Sequence, residues 1–145
     1  MSAQQCFAID DISSVAVVRR AAIHIADALG FDEVAAGRLG LVVTEMATNI
    51  VKHARHGRIV LRGLDENDAR GCEVLALDNG PGMADLAASM RDGHSTSGTA
   101  GSGLGAMQRL ADRFAVQTRP GRGTVVYLAV YAGKAPPPGV WELGL

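Results

Sequence analysis

Residues 41–54 read LVVTEMATNIVKHA, and this segment says most about how the chain folds. Its apolar spacing predicts a helix, yet Glu45, Asn49 and His53 recur at every fourth position and therefore share one face of that helix. A carboxylate and an amide set among aliphatic side chains cost free energy unless another group satisfies them. The segment therefore predicts a core helix with a polar face that needs a partner.

The surrounding sequence predicts a mixture of strands and helices. The first helix is capped by Asp10, Asp11 or Ser13. Asp32 caps the second helix, which we expect to run to about Ala54. The other predicted elements are strands over residues 5–9, 57–64, 72–78, 114–118 and 124–131, and a short helix from Leu104. This order predicts an α/β (α+β) two-layer sandwich, in which helices cover one face of a mixed or antiparallel sheet.

The composition is that of an ordinary globular domain. The chain has 145 residues, of which 48% are hydrophobic and 20% charged, and its net charge is −1. Because there is no basic surplus, we expect no nucleic-acid partner. No apolar run approaches the roughly 20 residues that cross a bilayer, and the start lacks a signal peptide, so we expect no membrane partner. Cys6 and Cys72 do not have metal-ligand spacing, which favours a reducing cytoplasm.

The end of the chain differs from the rest. Residues 133–139 read GKAPPPG, which predicts an extended segment. We therefore expect one domain over residues 1–132 and a Pro/Gly-rich tail or linker over residues 133–145. Two interpretations of the tail stay open, a linker to a further domain and a segment that folds back on the sheet through Trp141.

The polar face of the second helix is suited to a nucleotide with its metal ion. The side-chain carbonyl of Asn49 is a hard oxygen ligand for Mg²⁺ that adds no charge near phosphates. One turn earlier, Glu45 can accept a proton from a water or hydroxyl group that attacks the terminal phosphate. Lys52 and His53 can reach phosphates, although an exposed lysine or a packed histidine also explains them. Taken alone, the Glu-x-x-x-Asn spacing is better explained by a helix whose polar residues face solvent or cap neighbouring segments.

A second motif ends the strand predicted at residues 72–78. In Asp78-Asn79-Gly80-Pro81-Gly82, the glycines let a base approach the backbone. Asp78 can accept a hydrogen bond from the exocyclic amine of adenine, whereas guanine presents a carbonyl there and leaves the carboxylate unpaired. The same residue types also form simple turns at strand ends.

A third motif, Gly101-Ser102-Gly103-Leu104-Gly105, leads into the short helix. Backbone amides at a helix start bind phosphates, and missing side chains let those phosphates approach. A dinucleotide fingerprint would follow the first strand of a parallel unit, and a P-loop would end in Gly-Lys-Ser/Thr, so neither fits. Such a glycine cluster is weak evidence alone.

The order and spacing of the motifs resemble a known superfamily. Glu-x-x-x-Asn, Asp-x-Gly-x-Gly, Gly-x-Gly-Leu-Gly and finally Gly-Arg-Gly-Thr at 121–124 are similar to the GHKL ATP-binding domain of gyrase, Hsp90-type chaperones, sensor histidine kinases and MutL. The resemblance covers roughly residues 5–131 and implies the Bergerat (histidine-kinase-like ATPase) sandwich. It also implies ATP and Mg²⁺, with Asn49 on the metal, Asp78 on adenine and Thr124 assisting Asp78. The last glycine cluster would hold phosphates.

The predicted site combines these arguments. Glu45 is the predicted catalytic residue, and Asn49 is the predicted metal ligand. The predicted nucleotide-binding residues are Asn49, Lys52, His53, Asp78, Gly80, Gly82, Met83, Gly101, Gly103, Leu104, Gly105 and Thr124.

Within that superfamily, the short chain most resembles the serine kinases of bacterial partner-switching modules, the RsbT and RsbW type. Residues 103–114, GLGAMQRLADRF, look closest to the RsbT branch. The resemblance implies a serine/threonine kinase that phosphorylates a STAS-domain antagonist and regulates a sigma factor or a PP2C-type phosphatase. Glu45 would act on the acceptor hydroxyl, and the loop at 92–100 would close over the γ-phosphate.

Two other functions stay open from the sequence. One is a non-catalytic domain that senses ATP against ADP and binds a sigma factor or controls a linked or separate PP2C-type phosphatase. The other is a plain ATPase.

Overall fold

The computed structural model describes residues 4–54, 56–66, 68–80 and 103–136. Predictions that concern Gly82, Met83, Gly101, the loop at 92–100 and Trp141 lie outside these residues. The description below refers to the four described ranges.

Five strands form one sheet in the order β1-β2-β3-β5-β4. All their pairings are antiparallel, so of the two predicted sheet types the antiparallel one is correct for the described strands. Both predicted hairpins are present, one over residues 57–78 and one over residues 113–131, and their strands are slightly longer than expected. The strands are β1 Gln4–Ile9, β2 Gly57–Glu66, β3 Ala69–Asp78, β4 Arg113–Arg119 and β5 Gly123–Tyr131.

The described helices begin where the sequence predicts. They are α1 Ile12–Ala28, α2 Glu33–Asn49 and α3 Leu104–Leu110. Asp11 caps α1 by accepting a hydrogen bond of 2.9 Å from the amide of Ser13, and Asp32 caps α2 by accepting one of 2.8 Å from the amide of Ala35.

The second helix does not remain α-helical to Ala54. It changes at Ile50 into a single π turn, Ile50–Ala54, whose wider backbone ring accommodates more residues per turn. The predicted end of the helical segment is therefore right, but the prediction of one uninterrupted α-helix is wrong. Single π turns of this kind are often found at functional sites.

The main core lies between the helices and one face of the sheet. The inner side of α2 is buried there, together with Val15, Val18, Ala22 and Ile25 of α1. Side chains with no exposed surface come from both layers, namely Val18, Leu39, Val42, Val43, Ile59, Leu61, Val74 and Leu128.

The segment Glu33–Ala54 is long and apolar enough to cross a membrane by length and composition. It is not the uninterrupted apolar run of about 20 residues that the sequence analysis considered, because it includes Glu33, Arg38, Glu45 and Lys52. A buried core helix meets the same criterion, and Leu39, Val43 and Met46 of this segment are buried in the core.

The opposite face of the sheet carries a second apolar cluster. Tyr127, Ala129 and Tyr131 are buried there, and Ala135 packs against them. The hydroxyl of Tyr127 donates a hydrogen bond to Glu73, and burial, followed by this bond, raises the pKa of Tyr127 well above its usual range. Residues of the tail therefore contact the sheet as far as the structure describes them.

Candidate nucleotide site

The end of the second helix lies next to the end of the central strand β3. A Cβ atom on Gly80 would lie 2.9 Å from the Cβ of Ala54 and 3.0 Å from its Cα, so a side chain has no room there. The amide of Gly80 donates a hydrogen bond of 2.9 Å to Oδ1 of Asp78. The first two predicted motifs therefore meet at this corner of the domain.

The third motif contacts the polar face of α2. Gly103 directly precedes α3 and has φ +77°, a left-handed conformation that favours glycine. A Cβ on Gly103 would overlap with Oε2 of Glu45 and would lie 3.4 Å from its Cδ. The glycine cluster and the predicted catalytic carboxylate, which are far apart in sequence, are therefore in direct contact.

Asp78 has a glycine beside it on each neighbouring strand. Gly57 is its partner on β2, and Thr124, which follows Gly123, is its partner on β5. A Cβ on Gly57 would lie 3.2 Å from the Cβ of Asp78. One on Gly123, where φ is +115°, would overlap with the Asp78 carbonyl oxygen. Both neighbouring strands therefore approach Asp78 more closely than any side chain would allow.

The sequence analysis did not assign Gly57 or Gly123 to the site. The signal that could have found them is the pairing register. Counting back along the β2–β3 hairpin places Gly57 beside Asp78, whereas Gly123 also requires the register between β3 and β5, which no hairpin joins.

Thr124 is the buried polar residue next to Asp78. It is 4% exposed, and its hydroxyl lies 3.0 Å from the hydroxyl of Thr118 on β4. Thr118 also donates to the carbonyl of Gly123, at 3.3 Å. The two hydroxyls form a fixed polar pair at the sheet end where Asp78 lies, a pairing that the sequence analysis missed.

Three predicted polar groups retain unused hydrogen-bonding capacity. Glu45 and Asn49 are half-buried, and within the described ranges neither side chain takes part in a hydrogen bond. Asp78 uses Oδ1 for the amide of Gly80, while its Oδ2 has no partner among the described residues. Since half-buried polar groups need partners, this arrangement suits a ligand.

The remaining predicted residues are less informative. Lys52 and His53 are exposed in the π turn, and the described contacts do not join them to Asp78 or Gly103. Leu104 is fully buried in the core, so its side chain does not face a ligand. Gly105 is also buried, in the first turn of α3.

Arg38 connects α2 to the far end of α3, a contact that the sequence did not predict. Its guanidinium donates hydrogen bonds to the carbonyls of Leu110, at 2.9 Å, and Tyr131, at 3.4 Å. It also lies 3.6 Å from the carboxylate of Asp112, which accepts a 2.7 Å hydrogen bond from the amide of Tyr131. Arg38 therefore holds α3, and with it Gly103, against α2.

A cavity of about 300 Å³ lies beside Asp78 at the turn between β4 and β5. Leu77 and Val125, which line it, alternate with core residues along their strands and so face away from the helices. Arg119 and Arg122 also line it. Asp78 lines one end of this cavity. The cavity therefore lies on the other side of the sheet from Glu45 and Asn49.

The sequence of most of the chain matches a known family. Residues 10–130 match the histidine kinase-like ATPase domain. The chain belongs to this family. The predicted superfamily and fold class are thereby confirmed, and membership of a histidine kinase-like ATPase family implies that ATP is the nucleotide used.

Two curated relatives indicate which proteins within the family this histidine kinase-like ATPase domain is similar to. It is 33% identical over 126 residues to the serine/threonine-protein kinase RsbT of Bacillus subtilis (strain 168), covering 87% of the chain and 95% of the relative. It is 32% identical over 98 residues to the anti-sigma F factor of Caldanaerobacter subterraneus subsp. tengcongensis, covering 63% of the chain and 67% of the relative. The domain therefore belongs with the serine/threonine kinases of the partner-switching family, which confirms the predicted enzyme class.

Proposed function

We propose that this chain is an ATP- and Mg²⁺-dependent kinase that phosphorylates a serine or threonine of a STAS-domain antagonist protein. One observation carries the proposal beyond family membership, the contact between the Glu45 carboxylate and the backbone of Gly103. A general base has to reach the acceptor hydroxyl where the terminal phosphate is held. The contact supports such a role because it joins the candidate base to the candidate phosphate loop.

Asp78 is the proposed contact for adenine. Its Oδ2, which lacks a partner among the described residues, would accept a hydrogen bond from the exocyclic amine. The absence of side chains at Gly80 and Gly123 would leave the backbone accessible to a flat base. Thr124, with its hydroxyl fixed by Thr118, would assist Asp78.

Asn49 is the proposed ligand for magnesium. Its half-buried amide fits the role because its carbonyl oxygen is a hard ligand and has no hydrogen bond within the described ranges. A bound magnesium ion neutralises charge on the phosphate oxygens during transfer. Gly103 and Gly105 would contribute backbone amides to the phosphates. We assign Lys52 and His53 to the phosphate end as well, because they follow Asn49 in the π turn.

The proposed reaction is a direct phosphoryl transfer. The acceptor hydroxyl oxygen forms a bond to the γ-phosphorus of ATP, and the bond from that phosphorus to the β–γ bridging oxygen breaks. ADP leaves with the bridging oxygen, and Glu45 accepts the proton of the hydroxyl. A sigma factor or a PP2C-type phosphatase would be the protein regulated by the phosphorylation state of the antagonist.

Calorimetric titration with ADP and with a non-hydrolysable ATP analogue, with and without Mg²⁺, tests the nucleotide site. We expect binding by wild type and a loss of at least tenfold in affinity for Asp78→Asn, because the amide turns an NH₂ group or a weaker acceptor toward the adenine amine. Asp27→Asn is a matched control, since Asp27 is exposed on α1 and has no part in the proposed site. Unchanged affinity in Asp78→Asn would contradict the assignment.

Transfer of labelled phosphate from ATP to STAS-domain proteins of the same genome tests the enzymatic step. We expect transfer by wild type and a loss of at least 100-fold in Glu45→Gln, with nucleotide affinity retained. Full transfer by Glu45→Gln would contradict the assignment of Glu45 as the general base. Nucleotide binding without any transfer by wild type would instead support a non-catalytic ATP/ADP sensor.

A further inference from the structure

One face of α2 points to solvent and consists of uncharged residues, with Arg38 and Glu45 at its border. Its residues recur at helical spacing, Val34, Gly37, Leu41, Thr44 and Thr48, and are called the α2 face here. Val34 is 73% exposed, and Leu41, two turns further along the same side of the helix, is 56% exposed, so two large aliphatic side chains of one helix face solvent.

The polar groups near the α2 face are directed elsewhere. Thr44 donates its hydroxyl hydrogen to the carbonyl of Gly40, at 2.8 Å, and Thr48 donates to the carbonyl of Thr44, at 2.7 Å. Arg38 extends away toward Leu110 and Asp112. The α2 face therefore offers apolar surface with its hydroxyl donors already satisfied.

Gly37 lies between Val34 and Leu41, and nothing in the fold requires a glycine there. A Cβ at this position would meet no atom within 4 Å, and its backbone is ordinary α-helix. Glycine is among the least favourable residues inside a helix, so the domain loses stability at this position without a gain in its own packing. A bare backbone is useful when another molecule packs closely against it.

The α2 face adjoins the candidate catalytic residue. Leu41 precedes Glu45 by four residues, so it lies one turn, about 6 Å, along the same helix. Ile23 of α1, 40% exposed, lies over Gly40 and extends the apolar surface sideways. A protein that brings a hydroxyl group to Glu45 would therefore meet this surface.

We propose that the α2 face is the docking surface for the protein whose hydroxyl is phosphorylated. That protein would present apolar side chains within about one helical turn of its acceptor serine or threonine, and a closely packed segment over Gly37. The inference rests on the proposed kinase function. It adds to that function the surface that selects the substrate.

The test compares phosphoryl transfer to a STAS-domain protein that wild type phosphorylates, with nucleotide affinity and melting temperature measured in parallel. Leu41→Ser is expected to raise the KM for that protein at least tenfold, with kcat and ATP affinity unchanged. Val17→Ser is the matched control, because Val17 is also exposed, at 47%, but lies on α1 away from the α2 face. It should leave the KM unchanged.

Gly37→Ala is the more decisive variant, because it should stabilise the fold while it weakens binding of the protein substrate. The melting temperature should rise by a few degrees, since alanine favours the helix, while the KM for the protein substrate should rise at least fivefold. A stabilised variant with wild-type KM, together with a wild-type KM for Leu41→Ser, would overturn the docking proposal and leave the kinase function intact. Absence of any transfer by wild type would overturn both.

Discussion

The Glu45 carboxylate touches the backbone at Gly103, directly before α3, and leaves no space for a side chain at that position. The contact links a helix of the core layer to a loop whose glycines the sequence associates with phosphates. The position of Glu45 therefore depends on the size of residue 103 and on whatever holds α3 in place.

Replacement of Gly103 by alanine should impair both folding and transfer. Gly121 is a matched control because its φ is +79°, close to the +77° of Gly103, yet a Cβ on it would meet nothing within 4 Å. We expect Gly121→Ala to cost about 1 kcal/mol for its backbone alone. Gly103→Ala should lower the free energy of unfolding by more than that. Of the two variants, only Gly103→Ala should reduce phosphoryl transfer, by at least tenfold. Denaturant unfolding and transfer assays measure the two effects, and equal behaviour of the two variants would contradict the contact.

Loss of the Arg38 guanidinium should loosen α3. Arg38→Met keeps the aliphatic part of the side chain but removes the hydrogen bonds to the carbonyls of Leu110 and Tyr131. We expect the free energy of unfolding to fall by about 1–3 kcal/mol. The control is Arg62→Met, which removes a more exposed guanidinium, paired with Glu73, and should lower the free energy of unfolding by about 0–1 kcal/mol. Similar losses in the two variants in urea unfolding would argue against a special role for Arg38.

Removal of magnesium should weaken ATP binding by wild type but not by Asn49→Ala. The reason is that the metal would connect the Asn49 carbonyl to the phosphates, so that without this ligand the metal adds little affinity. Calorimetry measures the ratio of the ATP affinity in Mg²⁺ to that in EDTA. We expect this ratio to be at least ten in wild type and near one in the variant. Thr48→Val, at the adjacent position, should retain the wild-type ratio. A variant Asn49→Ala that keeps the full magnesium effect would exclude Asn49 as a ligand.

Stability should fall in alkaline solution because of Cys72. Burial raises the pKa of this thiol from 9.0 to about 12. Between these values the unfolded chain has lost the thiol proton while the folded chain keeps it, so the free energy of unfolding decreases as pH rises from about 9 to 12. Below about pH 9 both states hold the proton, and Cys72 contributes no pH dependence.

Unfolding measured across that pH range should show a shallower decrease for Cys72→Val. Some decrease remains, because burial also raises the pKa of Tyr127 and Tyr131. Cys6→Ser is the control, since Cys6 is exposed on β1. It should keep the wild-type slope, and an unchanged slope in Cys72→Val would contradict the prediction.

Much of the fold was predictable because it depends on local signals. The capping residues Asp11 and Asp32 precede helices at positions where a short acceptor side chain satisfies free amides. The hairpin strands follow from alternation and turn residues, and the pattern of apolar residues in α1 indicates its buried side. The contact between Glu45 and Gly103 could be expected only from the resemblance to a family, because nothing in the sequence around either residue indicates that the two meet.

Other parts of the site were not predictable from local signals. A five-residue π turn such as Ile50–Ala54 looks the same as an α-helix in an apolar pattern of that length. The contact of Arg38 with Leu110 depends on how two helices pack, and a lone arginine in a helix is usually solvent-exposed. The glycines beside Asp78 required the register of three strands, which a single sequence specifies only after the hairpins are fixed.

The π turn is also a spacer of fixed length between α2 and β2. Gly57 begins β2 opposite Asp78 with Ile50 packed against it, so the number of residues in between determines which residue arrives there. A deletion of one residue would bring Arg58 opposite Asp78 and, because strand side chains alternate, would turn Ile59 out of the core. The length of this connection therefore keeps a glycine, and no bulkier residue, beside the carboxylate that we propose as the adenine contact.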